Sequence, residues 1–272
     1  MKNNIIIASA LAGCSFLANA AETANAETSE INSLSDEPVL SACLERISES
    51  VSAGYESEYM FRGYNICGGI VSPAVNLDCA LGAGFGVYAG YWGAFSACDM
   101  SSADSFNDTV DGHYCESDFL AGITYSVENF EIEAGYIAYV YDTGGNTNEI
   151  KAGVSYDTAE LLGDDFAFSV YAAGYYDATL SAKTLEGGIS YSAPATKWLF
   201  GSNWGTLDFS GYAGYNYAPE THSFYTGLSF GATVAVTEYC SISAGMRYMY
   251  YNNETSGCGN KVWLGTAITI GF

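Results

Sequence analysis

The chain has 272 residues, 49% of them hydrophobic, and 31 acidic against 8 basic side chains, a formal net charge of -23. That balance excludes phosphate-driven binding of nucleic acid. Two histidines in all leave little for metal ligation or histidine-dependent catalysis, so neither a cofactor nor a metal is expected.

The chain opens with Met1-Lys2, an apolar run over 5–17, then Ala18-Asn19-Ala20. Charge, apolar core and a small-x-small site in that order predict a secretory signal peptide over residues 1–20. Leu11-Ala12-Gly13-Cys14 suits the rival reading, a lipoprotein signal with Cys14 acylated. Residues 21–48 read as an acidic periplasmic lead-in, with Asp36-Glu37-Pro38 opening a short helix through Val39, Leu40, Cys43, Leu44 and Ile47. No later stretch reaches the roughly 20 apolar residues of a spanning helix. A membrane protein without such helices is left with the closed barrel.

From residue 49 to residue 272 the pattern is period-2 alternation. Six stretches end in Ala-Gly-aromatic or Ala-Gly-Met, at Ala53, Ala89, Ala134, Ala173, Ala213 and Ala244. Strands are expected near 50–58, 70–77, 83–93, 117–126, 129–141, 148–157, 166–176, 183–192, 206–217, 223–236, 240–251 and 261–272. The fold class is all-β: a transmembrane, antiparallel, up-and-down β-barrel of about 12 strands, each of the roughly ten-residue alternating kind. In the fifth stretch Phe130, Ile132, Ala134, Tyr136 and Ala138 share one face, and Glu131, Glu133 and Gly135 the other. Carboxylates at mid-strand belong toward water, so the second face is the lumen. The seventh stretch is untidy, with Phe166, Phe168 and Val170 on the face of Gly174, which asks for a bulge or a partly apolar lumen. The expected partners are outer-membrane lipids along the wall and the barrel-assembly machinery at the C-terminal strand, which ends in Phe272 with Ile268 and Ile270 on the same face. The localisation that follows is the bacterial cell outer membrane.

By this register the lumen carries Glu56, Glu131, Glu133, Glu149, Glu186 and Asp208 against Lys151 and Arg247, with Glu58, Asp118 and Lys261 alongside. Carboxylates in surplus predict a preference for cations. Gly54, Gly90, Gly122, Gly135, Gly153, Gly188, Gly214, Gly227, Gly245 and Gly265 point inward too, which predicts an interior free of large side chains at those levels. Tyr88, Tyr212, Tyr225 and Tyr251 face the same way.

Seven cysteines remain after the signal peptide, in an oxidising compartment. Cys98 and Cys115 flank one long outer loop and are the first expected pair. Cys67 and Cys258 fall in the first and last outer loops, which become neighbours on closure. Cys43, Cys79 and Cys240 lie at the periplasmic end, with one left over. No catalytic residues stand out. His222-Ser223 near Glu220 is the one hydrolase-like grouping, and neighbours along a strand point to opposite faces.

The segment Gly54-Tyr55-Glu56-Ser57-Glu58-Tyr59-Met60-Phe61-Arg62-Gly63 resembles the opening strand and turn of the TorF-type porins, Gly-Tyr-x-Ser-x-Tyr-x-Phe-Arg-Gly. Tyr59, Phe61, Arg62 and Gly63 carry the likeness, which extends over residues 50–272. It implies an outer-membrane barrel of porin type with no established solute; the many cysteines and acidic lead-in depart from the family. Arg62 is expected to meet Glu56 or Glu58 near the outer mouth and shape the first loop. The function that follows is passive diffusion of small hydrophilic solutes or ions. The alternative is a non-conducting structural or surface-adhesion barrel acting through its outer loops.

Overall fold

The computed structural model describes residues 47–97, 114–142, 145–163, 166–195, 197, 201, 204–219, 221–253 and 257–272. The signal peptide, the lead-in as far as residue 46, Cys43, Cys98 and Glu220 lie outside them; Ile47 and Ser48, expected in the lead-in with Ile47 in its helix, instead open the first strand.

The strands are β1 (Ile47–Glu56), β2 (Tyr59–Phe61), β3 (Tyr64–Cys67), β4 (Ile70–Gly82), β5 (Phe85–Ser96), β6 (Tyr114–Val127), β7 (Phe130–Tyr141), β8 (Thr147–Asp157), β9 (Phe168–Asp177), β10 (Ala182–Ala193), β11 (Gly205–Ala218), β12 (Thr221–Ala235), β13 (Cys240–Asn253) and β14 (Gly257–Gly271). A single-turn helix α1 (Ala159–Leu162) joins β8 to β9. Twelve strands form a closed antiparallel barrel in chain order; β2 and β3 form a separate two-stranded sheet. Strands β1 and β14 close the seam, with Ser50 opposite Gly271 and Glu56 opposite Gly265. At the chain ends the Phe272 amide donates to the Glu49 carbonyl at 2.9 Å. Every barrel strand is thereby paired on both sides, which a bilayer demands of a sheet.

Alternation sets the two faces. Val51, Tyr55, Ile123, Ile132, Tyr136 and Leu228 stand exposed on the outside, while Ser52, Glu56 and Glu186 are buried inside. Around the end with the tightest turns, aromatics pair across strands on the outer face: Phe85 with Tyr125, Phe130 with Tyr156, and Phe209 with Phe230, centroids 4.6, 4.7 and 5.0 Å apart. An apolar wall with an aromatic girdle is the outer surface of a membrane barrel. The tight turn after β4 runs through Ala83 and Gly84 at φ 52° and 83°, the left-handed pair that suits hairpin twist.

In β9 the pairing runs without a break on both sides, so the untidy seventh stretch holds no bulge. Ala173 and Tyr175 are buried inside and Tyr176 is exposed outside, so this triplet is turned inside out relative to Ala53-Gly54-Tyr55. The lumen takes the aromatic there because Tyr175 has a partner inside.

That partner comes from the first connection. Residues 59–69, expected as an outer loop, fold back into the barrel with the β2–β3 hairpin over 59–67. Its turn is Arg62-Gly63, at φ 47° and 87°, the geometry of a two-residue type I′ turn. Gly63 also fits against the wall, where a Cβ would come 3.1 Å from the Tyr251 Cβ. Gly63→Ala is therefore expected to loosen the hairpin, since a left-handed alanine costs about 1–2 kcal/mol; the readout is increased acrylamide quenching of the Trp263 indole beneath it.

Candidate functional site

Three buried clusters seat the hairpin in the lumen. Tyr59 packs with Ile70, Ala74, Trp92, Ala94 and Cys115, its ring 5.0 Å from that of Trp92. Met60 packs with Tyr225, Met249 and Trp263. Phe61 lies against the cluster of Ile137, Tyr139, Ala173 and Tyr175. Successive residues of β2 thus reach different parts of the wall, which only a strand inside a barrel does. The Tyr59 hydroxyl donates to Glu116 at 2.8 Å. Burial first, and then the Glu116 charge, push the Tyr59 phenol well above its usual range, so it stays a donor.

Arg62 at the tip reaches across to β8. Its Nη1 and Nη2 donate to the two oxygens of Glu149 at 2.5 and 3.0 Å, and the Tyr139 hydroxyl donates to the same carboxylate at 2.8 Å. The guanidinium carbon stands 4.3 Å from the Tyr175 ring centre and 4.7 Å from that of Phe61. Arg62 therefore meets neither Glu56 nor Glu58. The expectation placed it near the outer mouth, and its partners Tyr139, Glu149 and Tyr175 do lie there, each two residues from the outer end of its strand; the inward fold of the loop turns it across the lumen to β8 and away from β1.

Each of the other expected lumen residues has a definite place. Glu56 is buried, ion-paired with Arg247, and accepts the Trp263 indole N–H at 2.9 Å. Lys151 bonds Glu133 at 2.7 Å, and Tyr88 donates to the same carboxylate at 2.6 Å. Lys261 lies 3.8 Å from Glu58. Glu186 accepts from Tyr171 and Tyr225 at 2.9 and 2.8 Å, and Asp208 from Thr206 and Thr233 at 2.9 and 2.7 Å. Glu131 accepts a long bond from Ser126, 3.4 Å. Among the described residues the lumen cations Arg62, Lys151, Arg247 and Lys261 each face a carboxylate. Glu186 and Asp208 are held by neutral hydroxyls, so the surplus on the wall is negative.

Sequence reasoning missed Glu116, Tyr139 and Tyr175. The available signal was the alternation of Tyr59, Phe61, Tyr64 and Ile66 about a two-residue turn ending in glycine, which is a hairpin signature. Glu116 and Asp118 are fully buried side by side on one face of β6, and each keeps one oxygen without a hydrogen-bond partner.

Two further expectations are corrected. The inward glycines do not leave the interior free of large side chains. A Cβ on Gly122 or Gly135 would strike the Tyr88 hydroxyl at 2.4 or 2.2 Å, one on Gly214 the Tyr225 ring at 2.3 Å, and one on Gly227 the Tyr212 ring at 2.2 Å. Gly122, Gly214 and Gly227 are each the bed of a neighbouring strand's tyrosine and Gly135 meets the Tyr88 hydroxyl from two strands away, an arrangement that covers bare backbone, whereas Gly54, Gly153, Gly245 and Gly265 have no tyrosine over them. The disulfide is Cys67–Cys115, Cα atoms 6.5 Å apart, and not Cys98–Cys115 or Cys67–Cys258. Folding the first loop inward brings Cys67 to β6, away from the last loop, and Cys258 is free and exposed. Cys79 and Cys240 are free and half-buried at the other end. His222 and Ser223 point to opposite faces: His222 outward beside Tyr215, and Ser223 fully buried, donating to the Arg62 carbonyl at 3.3 Å.

On the turn side of the Glu56–Arg247 pair lies a cavity lined by Gly54, Ser72, Ser243, Gly245, Gly265 and Thr266. No family model matches the chain, and no curated protein matches it in sequence. Among solved structures, an outer-membrane channel from Pseudomonas putida F1 is similar at 13% identity and a TM-score of 0.50, over 84% of this chain and 95% of that one. The chain has the closed-barrel fold of outer-membrane channels. The KdgM porin (12% identity, TM-score 0.47, 82% of this chain and 99% of that one) and the NanC porin (9%, 0.45, 82% and 98%) are further structures it resembles. At such identities the likeness is one of fold.

Proposed function

We propose that the barrel is a narrow channel for passive diffusion of small hydrophilic solutes or ions, cation-preferring, with the β2–β3 hairpin as its constriction. The observation that carries this reading is the chemistry of the inner wall. Paired ions, hydroxyls and surplus carboxylates line it, where a barrel built only as a scaffold gains more from an apolar filling. The cavity below Glu56 and Arg247 extends that polar lining toward the tight-turn end. Rings of charge with one sign in excess favour the opposite ion. The resemblance of the Tyr59 to Gly63 segment to the TorF-type porins supports the same class.

One observation favours the second reading, a barrel that does not conduct and acts through its outer loops. Met60, Tyr225, Met249 and Trp263 are each almost wholly buried between hairpin and wall, which leaves no gap between the hairpin and the β12–β14 side. Single-channel recording of the refolded protein in a planar bilayer under asymmetric salt separates the two. Steady openings with a cation-selective reversal potential uphold the channel. A folded barrel that stays silent in many insertions moves the function to its outer surface.

A further inference from the structure

The geometry points to a second identity for the place where Arg62 is held: a receptor for guanidinium-bearing solutes, occupied in this state by the protein's own arginine. The parts are on the wall, not on the hairpin. Glu149 of β8 presents both carboxylate oxygens in the fork that a guanidinium fits, at 2.5 and 3.0 Å. Tyr139 of β7 fixes that carboxylate by donating to Oε2 at 2.8 Å. Tyr175 of β9 lays its ring face 4.3 Å from the cation's centre. A buried carboxylate with an aromatic face is how organic cations are recognised, and the planar fork selects guanidinium over a point-charge ammonium.

The occupant is removable without dismantling the barrel. The hairpin's ladder hydrogen bonds join its own two strands, which form a sheet apart from the wall, and the Arg62 carbonyl accepts one further bond from Ser223 of β12. Arg62 also sits in left-handed backbone, φ 47°, an uncommon conformation for a side chain of its size. The turn itself would accept glycine at that position, so the arginine is there for its side chain. Around the receptor the lumen carries carboxylates in excess of cations, Glu186 among them, which draw cations toward it and repel anions. An external guanidinium would exchange with Arg62 for Glu149 and release the hairpin tip, while Cys67–Cys115 keeps its other end tethered. The inference deepens the channel reading by naming a solute class, and it rests on that reading only for how the solute enters.

Arg62→Gly tests it, because glycine keeps the turn and vacates the receptor. Titration calorimetry in detergent with L-arginine, and with citrulline as its neutral isostere, measures binding without any current. The Arg62→Gly protein is expected to bind L-arginine about tenfold or more tightly than the native protein does, the worth of a charge-assisted bidentate pair. Citrulline should bind neither, and Glu149→Gln added to Arg62→Gly should abolish the gain. L-arginine and citrulline behaving alike, or Glu149→Gln making no difference, overturns the inference. Should Arg62→Gly not fold, as judged by loss of the heat-modifiable band, the native protein decides. L-arginine but not citrulline must then raise acrylamide quenching of Trp263 as the hairpin tip leaves; equal quenching with both overturns it. Selective binding in a barrel that carries no current upholds the receptor and sinks the channel. Steady current with no selectivity for L-arginine does the reverse.

Discussion

Replacing residues 58–68 by a short Gly-Ser link, together with Cys115→Ser, is expected to raise single-channel conductance several-fold. The hairpin fills the lumen chiefly by side chains: Tyr59, Met60 and Phe61 enter buried clusters and Arg62 spans to Glu149, with one bond from Ser223 to the Arg62 carbonyl besides. None of the twelve barrel strands depends on it for a ladder partner, so the wall survives its removal. What is lost is cover over Met249 and Trp263, and exposing a buried side chain of the Met class costs about 1.5–3 kcal/mol. A lower thermal midpoint with a retained heat-modifiable band is the expected companion result. Glu149 loses its cation in the same stroke, and an acid freed into a hydrated bore adds to cation preference. The measurement is conductance in symmetric salt, native against deleted. Equal values from a variant that still shows the folded band would mean that the hairpin is not the constriction, and the narrow point would have to be sought among Tyr88, Tyr171 and Tyr212 on the wall itself.

The barrel was legible because its physics is periodic. Alternation of apolar and polar residues decides the faces of β7 residue by residue, from Phe130 to Tyr136, and no distant partner is needed to read it. The inward direction of Glu56, Glu186 and Tyr225 follows from the same count. The partners were not legible. Which carboxylate receives Arg62 depends on a hairpin that reverses into the lumen and reaches a residue 87 positions away. Local sequence offered Glu56 and Glu58, which are near in the chain and already engaged elsewhere, with Arg247 and with Lys261. The disulfide follows the same logic, since Cys67 pairs according to where its loop goes and not to which loop it belongs. The glycines show a third limit. A glycine on the lumen face reads as empty space until the neighbouring strand's tyrosine is seen lying over it, as Tyr212 does over Gly227. Alternation gives direction, and occupancy comes from cross-strand register, which a single strand's pattern does not contain.

Ion selectivity offers the sharper test of the wall, because two neighbouring carboxylates on β7 are expected to behave differently. Glu131 is bonded only by a long contact from Ser126, whereas Glu133 holds Lys151 at 2.7 Å. Glu131→Gln removes at most one negative charge and uncovers no cation. Glu133→Gln removes one negative charge and also uncovers an ammonium on the lumen face. A unit charge about 4 Å from a passing ion, at an effective dielectric of about 20, is worth about 4 kcal/mol before salt screening. Screening by electrolyte removes much of that, and a change of about tenfold in the K⁺ to Cl⁻ permeability ratio needs only about 1.4 kcal/mol to survive. The expected order of cation preference in a salt gradient is native, then Glu131→Gln, then Glu133→Gln. Adding Lys151→Met to Glu133→Gln should bring the reversal potential back to or beyond that of Glu131→Gln, because the uncovered cation is gone. That recovery distinguishes a charge effect at the passage from a general loosening of the wall, which a second core substitution would make worse. If all four proteins share one reversal potential, the Glu133–Lys151 pair does not face the conducting path, and cation preference must be sought from Glu186 and Asp208 or abandoned.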